Sequence, residues 1–309
     1  MAKPNPSVAL IAGPTASGKS GLALALAEAS GGAIINADSA QIYRDIPIIS
    51  AAPSAADRAR ADHRLYDARS GSQPCSAAEW AQLAKAEIAD LHAVGRLPIL
   101  VGGTGLYLRT LLHGIAPVPP IDPAIRAAAR AASVVENHAA LSHLDPAAAA
   151  ALNPGDTTRI ARALEVVRSS GRTLASWQEH CEGGIGNDIT LRPLILLPPR
   201  DWLIERCDRR FAAIVEGGAI AEVAALLARN LNPQLPVMRA IGVPELAAMI
   251  RGELTREQAI AAGQLATRRY AKRQYTWFSN QPPPDWPRFT DPLDAHNIDA
   301  ALALLMVTG

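Results

Sequence analysis

The residues with the clearest chemical purpose come early in the chain: Gly13, Gly18, Lys19 and Ser20 in GPTASGKS spell the pattern G-x-x-x-x-G-K-S. In such a loop the backbone N–H groups of a glycine-rich turn point at phosphate oxygens, and the N-terminus of the following helix adds a favourable dipole. Lys19 reaches the terminal phosphates and the Ser20 hydroxyl is the expected ligand of Mg²⁺. Gly13, Pro14, Thr15, Ala16, Ser17, Gly18, Lys19 and Ser20 are therefore the expected diphosphate-binding residues, in a loop of the nucleotide-binding, ATP-binding type. The pattern says that phosphates are held and leaves open what is done with them.

Two further polar stretches follow apolar runs. In ADSAQIYR, Asp38 stands at a strand end with Ser39 and Gln41 behind it. It reads either as a helix N-cap, a place both Asp and Ser favour, or as a catalytic acid–base group. In VGGTGLYLR, Gly102 and Gly103 permit a backbone shape closed to other residues, which brings Thr104 and nearby N–H groups up to a ligand; the plain alternative is a strand-to-helix turn. No N-K-x-D motif is present, which argues against a GTPase. Cys75, Cys181 and Cys207 are far apart and form no C-x-x-C pair, so neither a disulfide framework nor a zinc site is suggested.

Elements that would hold these groups in place are legible in the hydropathy pattern. Short apolar runs at 8–12, 32–36, 98–102 and 194–197 alternate with helical stretches such as AAEWAQLAKAEIADLHAVG, which predicts an α/β fold with a parallel sheet flanked by helices. Ligands of such sheets sit at the carboxyl ends of the strands, where all three polar motifs fall. Residues 1–120 form the first part of this core. Residues 121–190, opened by APVPPIDP and rich in Ala, form a helical insertion domain, and residues 191–309 return to the core and add a C-terminal helical region.

Within the insertion, Ile160, Ala163, Leu164 and Val167 recur at helical spacing, with Arg159 and Arg162 off that face and Gly171 as the C-cap. Thr255 with Gln258 is a capping box for the last long helix, which Pro282–Pro284 terminate. The 309 residues, 49% of them hydrophobic, are ample for a core. The net charge of +1 hides an uneven distribution: Arg159, Arg162, Arg168 and Arg172 cluster, and TRRYAKRQYTWF carries Arg268, Arg269, Lys272 and Arg273 with no acid. These are solvated helix faces or a nucleic-acid surface. No apolar run approaches the roughly 20 residues of a bilayer span, and Lys3 among prolines makes a poor signal peptide; the expectation is a cytoplasmic protein with no membrane partner.

Taken together, GPTASGKS, ADSAQIYR, VGGTGLY, RIARALEVVRSSGR, the series Arg206, Arg210 and Phe211 with EGGAIAEVAALL, then RAIGVPEL and RRYAKRQYTWF resemble, in order and spacing, the tRNA dimethylallyltransferases, also called tRNA isopentenyltransferases. The resemblance covers most of the chain. It departs at DIPIISAAP, where G-M-D-I-G-T-A-K-P is usual, at Arg64 in DHRLYD, and at Val243 and Pro244.

The resemblance implies a P-loop NTPase-like sheet with an all-helical insertion, and transfer of a dimethylallyl group from dimethylallyl diphosphate to the N6 amine of the adenosine 3′ to the anticodon in tRNA, releasing diphosphate. Lys19, Ser20 with Mg²⁺ and Arg210 would serve the diphosphate, Asp38 would accept the N6 proton, and Thr104 would position the leaving group or the amine. Asp38, Ser39, Ala40, Gln41 and Thr104 would meet the target nucleotide. Arg126, Arg159, Arg162, Arg239, Arg269, Lys272 and Arg273 would contact the rest of the tRNA. Trp277 and Phe278 are either stacking groups or core, and core is the commoner fate of such a pair. A monomer satisfies all of this.

The main alternative is a P-loop kinase of a small metabolite or nucleoside, which shares the loop, sheet and strand-end acid but has no use for an extended basic surface. A prenyltransferase acting on free adenine nucleotides and a non-catalytic RNA-binding switch are the others.

Overall fold

Val8 to Ala12 carry no polar side chain because both faces of the strand they form are covered. In the computed structural model, which describes residues 5–306 and so leaves Lys3 outside, this strand is β1 (Ser7–Ala12), followed by α1 (Lys19–Ser30), β2 (Ala33–Asn36), α2 (Ala55–Arg60), β3 (Asp62–Arg64), α3 (Ala77–Ala93), β4 (Pro98–Gly102) and α4 (Gly105–His113). Five helices come next: α5 (Pro123–Ala131), α6 (Val134–Leu144), α7 (Pro146–Ala151), α8 (Thr157–Ser170) and α9 (Leu174–Gln178). The chain then runs through β5 (Thr190–Leu196), α10 (Arg200–Ile214), α11 (Ile220–Ala228), α12 (Val243–Ile250), α13 (Arg256–Asn280), β6 (Arg288–Phe289) and α14 (Ile298–Met306). It divides into two units, Met1–Leu111 with Gly186–Gly309, and Leu112–Ile185.

The larger unit is built on a six-stranded sheet in the order β3-β2-β4-β1-β5-β6, every pairing parallel. Leu22 and Leu26 of α1 pack with Ala301 and Leu305 of α14 against Ile11, Ile34 and Leu194. The sequence shows four of these strands. It misses β3 and β6 because edge strands of three and two residues, DHR and RF, carry no apolar run: their side chains are only half-buried, and short polar edges are how sheets avoid further pairing.

Between α10 and α11, within Val215–Ala219, Gly218 at φ 106° leaves the helical conformation, so the two helices meet at a kink. Counted across that kink, the 29-residue stretch Arg200–Ala228 is long and apolar enough by composition to cross a membrane, which corrects the expectation that no such run exists. A regular stripe of it, Leu203, Cys207, Phe211, Val215, Ala219, Val223 and Leu226, is buried within the protein.

The smaller unit is helical, apart from one antiparallel bridge between Ile115 and Glu182. Asp122, Ser133, Asp145 and Asp156 cap α5, α6, α7 and α8 through their side chains, each satisfying an N–H group that the first helical turn leaves unpaired. Leu141, Ala149, Ile160, Ala163, Leu164 and Val167 form its core. Gly171 closes α8 at φ 68°, and Thr255 with Gln258 caps α13.

Candidate active site

The phosphate loop is the connection from β1 to α1. Its shape is forced by a close approach: a Cβ on Gly13, at φ +151°, would stand 2.4 Å from the Leu196 carbonyl oxygen at the end of β5. Gly18 (φ 100°) and Ala16 (φ 63°) both take the left-handed conformation. Such a backbone turns successive N–H groups toward one point. Lys19 Nζ folds back to donate to the Pro14 carbonyl at 2.6 Å. Burial pulls its pKa down to about 8, against the attraction of Asp38, and the charge of Arg210 pulls the same way as burial. The Ser20 side chain is exposed, and Ser17 Oγ is buried without a hydrogen-bond partner.

Helix α10 brings two more cations to this loop. Arg210 Nη2 donates to Thr15 Oγ1, and Arg206 Nε donates to the Ala16 carbonyl at 3.0 Å while its guanidinium stacks on Trp202 at 4.6 Å. Burial lowers the Arg210 pKa, with Asp38 opposing. Two guanidinium groups and an ammonium crowded onto one glycine-rich turn leave an excess of positive charge that an anion would neutralise.

Asp38 follows β2. Buried Asn36 locks this strand end: its Oδ1 accepts from Asp38 N at 2.8 Å, and its Nδ2 donates to the carbonyls of Asp38 and Leu65 at 3.0 and 3.1 Å. Asp38 Oδ1 accepts from Ala40 N at 2.9 Å. That is a local turn, and the next helix begins only at Ala55, so the N-cap alternative falls. Burial raises the pKa values of Tyr66 and Tyr270, and the negative charge of Asp38 raises them further. Burial likewise raises that of Tyr107, with a smaller contribution from Asp38. Asp38 therefore lies among phenols held protonated.

The third motif is pressed against the second. A Cβ on Gly102 would lie 2.1 Å from the Ala37 carbonyl oxygen, so only glycine lets the ends of β4 and β2 meet. Thr104 N then donates to that carbonyl at 3.2 Å, and Thr104 Oγ1 accepts from Ser39 N at 3.0 Å. A residue whose role was not visible in the sequence ties the motifs together: Gln274, 5% exposed, accepts from Thr15 N with Oε1 and donates to the Gly103 carbonyl with Nε2, both at 2.8 Å. Gly103 has no room for a Cβ because the Gln274 amide would be 2.1 Å away. Gln274 sits in RRYAKRQYTWF, where the cations drew attention and the amide between them did not.

Some of these groups open on a cleft of about 320 Å³, whose lining does not include Lys19, Ser20, Thr104, Arg206 or Gln274. Thr15, Asp38, Ser39, Ala40, Arg210 and Tyr270 line its polar part, and Ile49, Phe211 and Ile214 an apolar part. Arg239 and Arg273, both exposed, also line it. Arg269 and Lys272 are exposed on α13 and are not among the lining residues. Gln41 does not face the cleft: its Nε2 donates to the carbonyls of Ser50 and Ala51 at 3.0 and 2.9 Å, so it braces the segment after it. Phe278 is buried (1% exposed) with Trp277 edge-on to it, the core reading of that pair.

In the helical unit, Arg126 is exposed and Arg159, 76% exposed, lies 3.6 Å from Asp156. Arg162 and Arg130 flank Glu165, which is 1% exposed, at 3.9 and 2.7 Å. Burial lowers the pKa of Arg162, Glu165 opposes that, and Arg126 and Arg130 add to it. Arg162 thus neutralises a buried carboxylate.

Among the described residues no cluster of three or more His, Cys, Asp or Glu could hold a metal by itself. Mg²⁺ needs none, since it takes one or two protein oxygens and completes its shell with phosphate and water. The Ser20 hydroxyl at the loop and the Asp38 carboxylate near Lys19 are oxygen donors of that kind.

Residues 41–281 match the family model described as IPP transferase. The chain is 61% identical over 293 residues to a tRNA dimethylallyltransferase of Sphingopyxis alaskensis, covering 94% of this chain and 96% of the other. It is 52% identical over 301 residues to that of Zymomonas mobilis, with 97% and 96% covered. Among solved structures it is similar to a full-length tRNA isopentenylpyrophosphate transferase from Bacillus halodurans, with a TM-score of 0.69, 32% identity, and 96% and 94% of the two chains covered. A eukaryotic dimethylallyltransferase acting on tRNA gives a TM-score of 0.74 at 27% identity, covering 88% of this chain and 69% of that one. The parallel sheet with its flanking helices is thus P-loop NTPase-like.

Proposed function

The chain belongs to the tRNA dimethylallyltransferase family, and from that premise we propose that its cleft joins a dimethylallyl group from dimethylallyl diphosphate to the N6 amine of the adenosine 3′ to the anticodon. It is a tRNA prenyltransferase. The observation that carries the finer reading is the joining of three strand-end motifs into one site. Gln274 bridges the cationic phosphate loop to the Gly103 turn, and Thr104 is tied to Ala37 and Ser39, the two neighbours of Asp38.

In this reading the N6 lone pair forms the new N–C bond at C1 of the donor, and the C1–O bond breaks with its electron pair going to diphosphate. Lys19, Arg206, Arg210 and the loop N–H groups stabilise that leaving charge, which grows in the transition state and so favours catalysis over mere binding. Mg²⁺, held through Ser20, would add its charge to the leaving diphosphate. Asp38 takes the N6 proton; its Oδ1 is already oriented by Ala40 N, and an adenine amine needs such a base because it is a weak nucleophile.

Thr104 and Ser39, hydrogen-bonded to each other, hold the amine in line. The adenosine leaves the anticodon stack to enter the cleft, costing about a few kcal/mol, which phosphate contacts from Arg239 and Arg273 at the cleft and from Arg269, Lys272, Arg126, Arg159 and Arg162 offset. The protein works as a monomer in the cytoplasm.

The test supplies purified protein with Mg²⁺, labelled dimethylallyl diphosphate and unmodified tRNA, beside ATP-only and free-AMP controls. Label in RNA at the adenosine 3′ to the anticodon is the expected result. Label on AMP at the same rate would show that tRNA is not what the cleft reads, and ATP consumption against a small acceptor would return the loop to kinase chemistry.

A further inference from the structure

Helix α10 carries the arginines Arg200, Arg206, Arg209 and Arg210, and they are held in different ways. Arg209 pairs with Glu205 one turn back at 3.7 Å, and the next acid, Asp208, is taken by Arg268 of α13 at 2.7 Å. Arg206 and Arg210 reach the phosphate loop instead, each through a neutral oxygen, the Ala16 carbonyl and Thr15 Oγ1. The acids of the helix are thus spent on other cations, and the charge of these two is left for a ligand.

Arg206 is the half-buried member of the pair that α10 itself supports. Its Nε donates to the Ala16 carbonyl at 3.0 Å, and its guanidinium carbon lies over the Trp202 ring, 4.6 Å from the centroid. Among the described residues its Nη1 and Nη2 hydrogen-bond nothing. A guanidinium fixed at Nε and against a ring keeps a planar fork of Nη–H donors, the shape that meets phosphate oxygens two at a time. Like Lys19 and Ser20, Arg206 stands at the loop and not in the lining of the cleft, which is the place of the phosphates and not of the transferred carbons.

The stack follows from sequence spacing. Trp202 precedes Arg206 by four residues, and helical side chains lean toward the N-terminus, so Arg206 is laid across Trp202. The ring is itself seated, on the small apolar cluster of Ala16, Leu203, Cys207 and Ala271. Ala16 therefore meets both partners, its side chain beside Trp202 and its carbonyl on Arg206. It also holds φ 63°, uncommon for a residue with a Cβ, so the loop at this point has a shape that its contacts must maintain. Without the ring, Arg206 would be a long side chain tethered by one hydrogen bond, free to sample other rotamers.

We infer that Trp202 is a positioning residue of the diphosphate site, keeping the free Nη edge of Arg206 formed at the loop before the donor arrives. The inference rests on the reading of the loop as the holder of a prenyl diphosphate. A second stack supplies the contrast: Arg200 lies 4.7 Å from the Tyr275 ring, and Tyr275 packs on the same cluster, yet among the described residues Arg200 makes no hydrogen bond to the loop.

The experiment uses the full-length parent, Trp202→Met, Trp202→Phe, Arg206→Ala, the double variant Trp202→Met/Arg206→Ala, and Arg200→Ala. Each is titrated with inorganic diphosphate and Mg²⁺ by calorimetry, then assayed for dimethylallyl transfer to unmodified tRNA. Trp202→Met should weaken diphosphate about tenfold, within the range of a cation–π contact, and raise the donor KM in step while the tRNA KM stays put. Trp202→Phe, which restores an aromatic face, should recover most of that loss. In the Arg206→Ala background, Trp202→Met should add less than about twofold, because its partner is already gone. Arg200→Ala should bind diphosphate like the parent. Trp202→Leu repeats the cycle, so that no result hangs on how one side chain refills the seat.

A parent that transfers no dimethylallyl group would sink the donor reading and this inference with it. With an active parent, equal losses from Trp202→Met in both backgrounds would overturn the inference alone, since the ring would then act on something other than Arg206. Unchanged diphosphate affinity in Trp202→Met and Trp202→Leu would do the same. So would an equal loss in Arg200→Ala, which would assign the effect to the charge or packing around the cluster.

Discussion

Replacing Gln274 by Leu keeps the volume of the side chain and deletes both of its hydrogen bonds, leaving Thr15 N–H and the Gly103 carbonyl without their partner. An orphaned buried polar group costs about 1–3 kcal/mol. Gly103 is enclosed and Thr15 borders the cleft, where water reaches it, so the pair should cost about 2–4 kcal/mol. At roughly 2–4 °C per kcal/mol for a unit of this size, the melting temperature should fall by roughly 5–15 °C. The functional loss has a separate origin: the phosphate loop and the Thr104 turn are no longer held in register, and misplacement by about 1 Å costs on the order of 100-fold.

We therefore expect kcat/KM for the donor to fall about 10- to 100-fold while the tRNA Kd stays within about twofold, since the exposed cations of α13 are untouched. Calorimetry, single-turnover prenylation and filter binding read the three quantities. Gln274→Glu sharpens the test. Its carboxylate still accepts from Thr15 N but faces the Gly103 oxygen, so burial and that carbonyl raise its pKa above the unfolded value. The protonated form restores the donor, so the deficit relative to the parent is smallest at low pH and grows as pH rises through the folded pKa. A Gln274→Leu protein that melts within about 1 °C of the parent, with kcat/KM within about twofold, would refute the brace; both bounds lie well below the cost of two orphaned groups.

Burial holds the Lys19 pKa down at about 8, below the ordinary lysine value of 10.5. Between those values the unfolded chain binds the extra proton, so this group's contribution to stability rises with pH there and is least favourable below 8. Diphosphate needs the ammonium, so its affinity measured by titration calorimetry should weaken from about pH 7 to about pH 9, and Lys19→Met should abolish that dependence; a flat profile in the parent contradicts the burial argument. Asp38→Asn preserves the acceptor for Ala40 N and removes the base, so transfer should drop about 100- to 10,000-fold with tRNA binding nearly intact. Equal losses in both would move Asp38 from catalysis to binding. Replacing Arg159 and Arg162 together should weaken tRNA binding and flatten its salt dependence by about one unit of slope per lost phosphate contact; since Arg162 also neutralises Glu165, a melting curve accompanies the measurement. An unaltered slope would make both arginines structural.

What the sequence determined by itself was whatever local physics makes unambiguous. GPTASGKS between an apolar run and an Ala/Leu-rich helix marked the strand-to-helix turn at which a phosphate loop is expected, and Ile160, Ala163, Leu164 and Val167 read as one face of a helix, as they are. The order of the motifs carried the family. The tertiary structure alone decided the rest, because it concerns groups distant in the chain whose pairing leaves no local trace. Gln274 reaches Thr15 across 259 residues, and Glu222 reaches Ile48 across 174. A buried amide or carboxylate looks in sequence like any surface Gln or Glu, and only the packing that removes water from it makes its hydrogen bonds decisive. For the same reason Gln41, beside Asp38 in sequence, turned out to brace a backbone rather than face the cleft, and the strands β3 and β6 became visible only once the sheet edge they complete was in place.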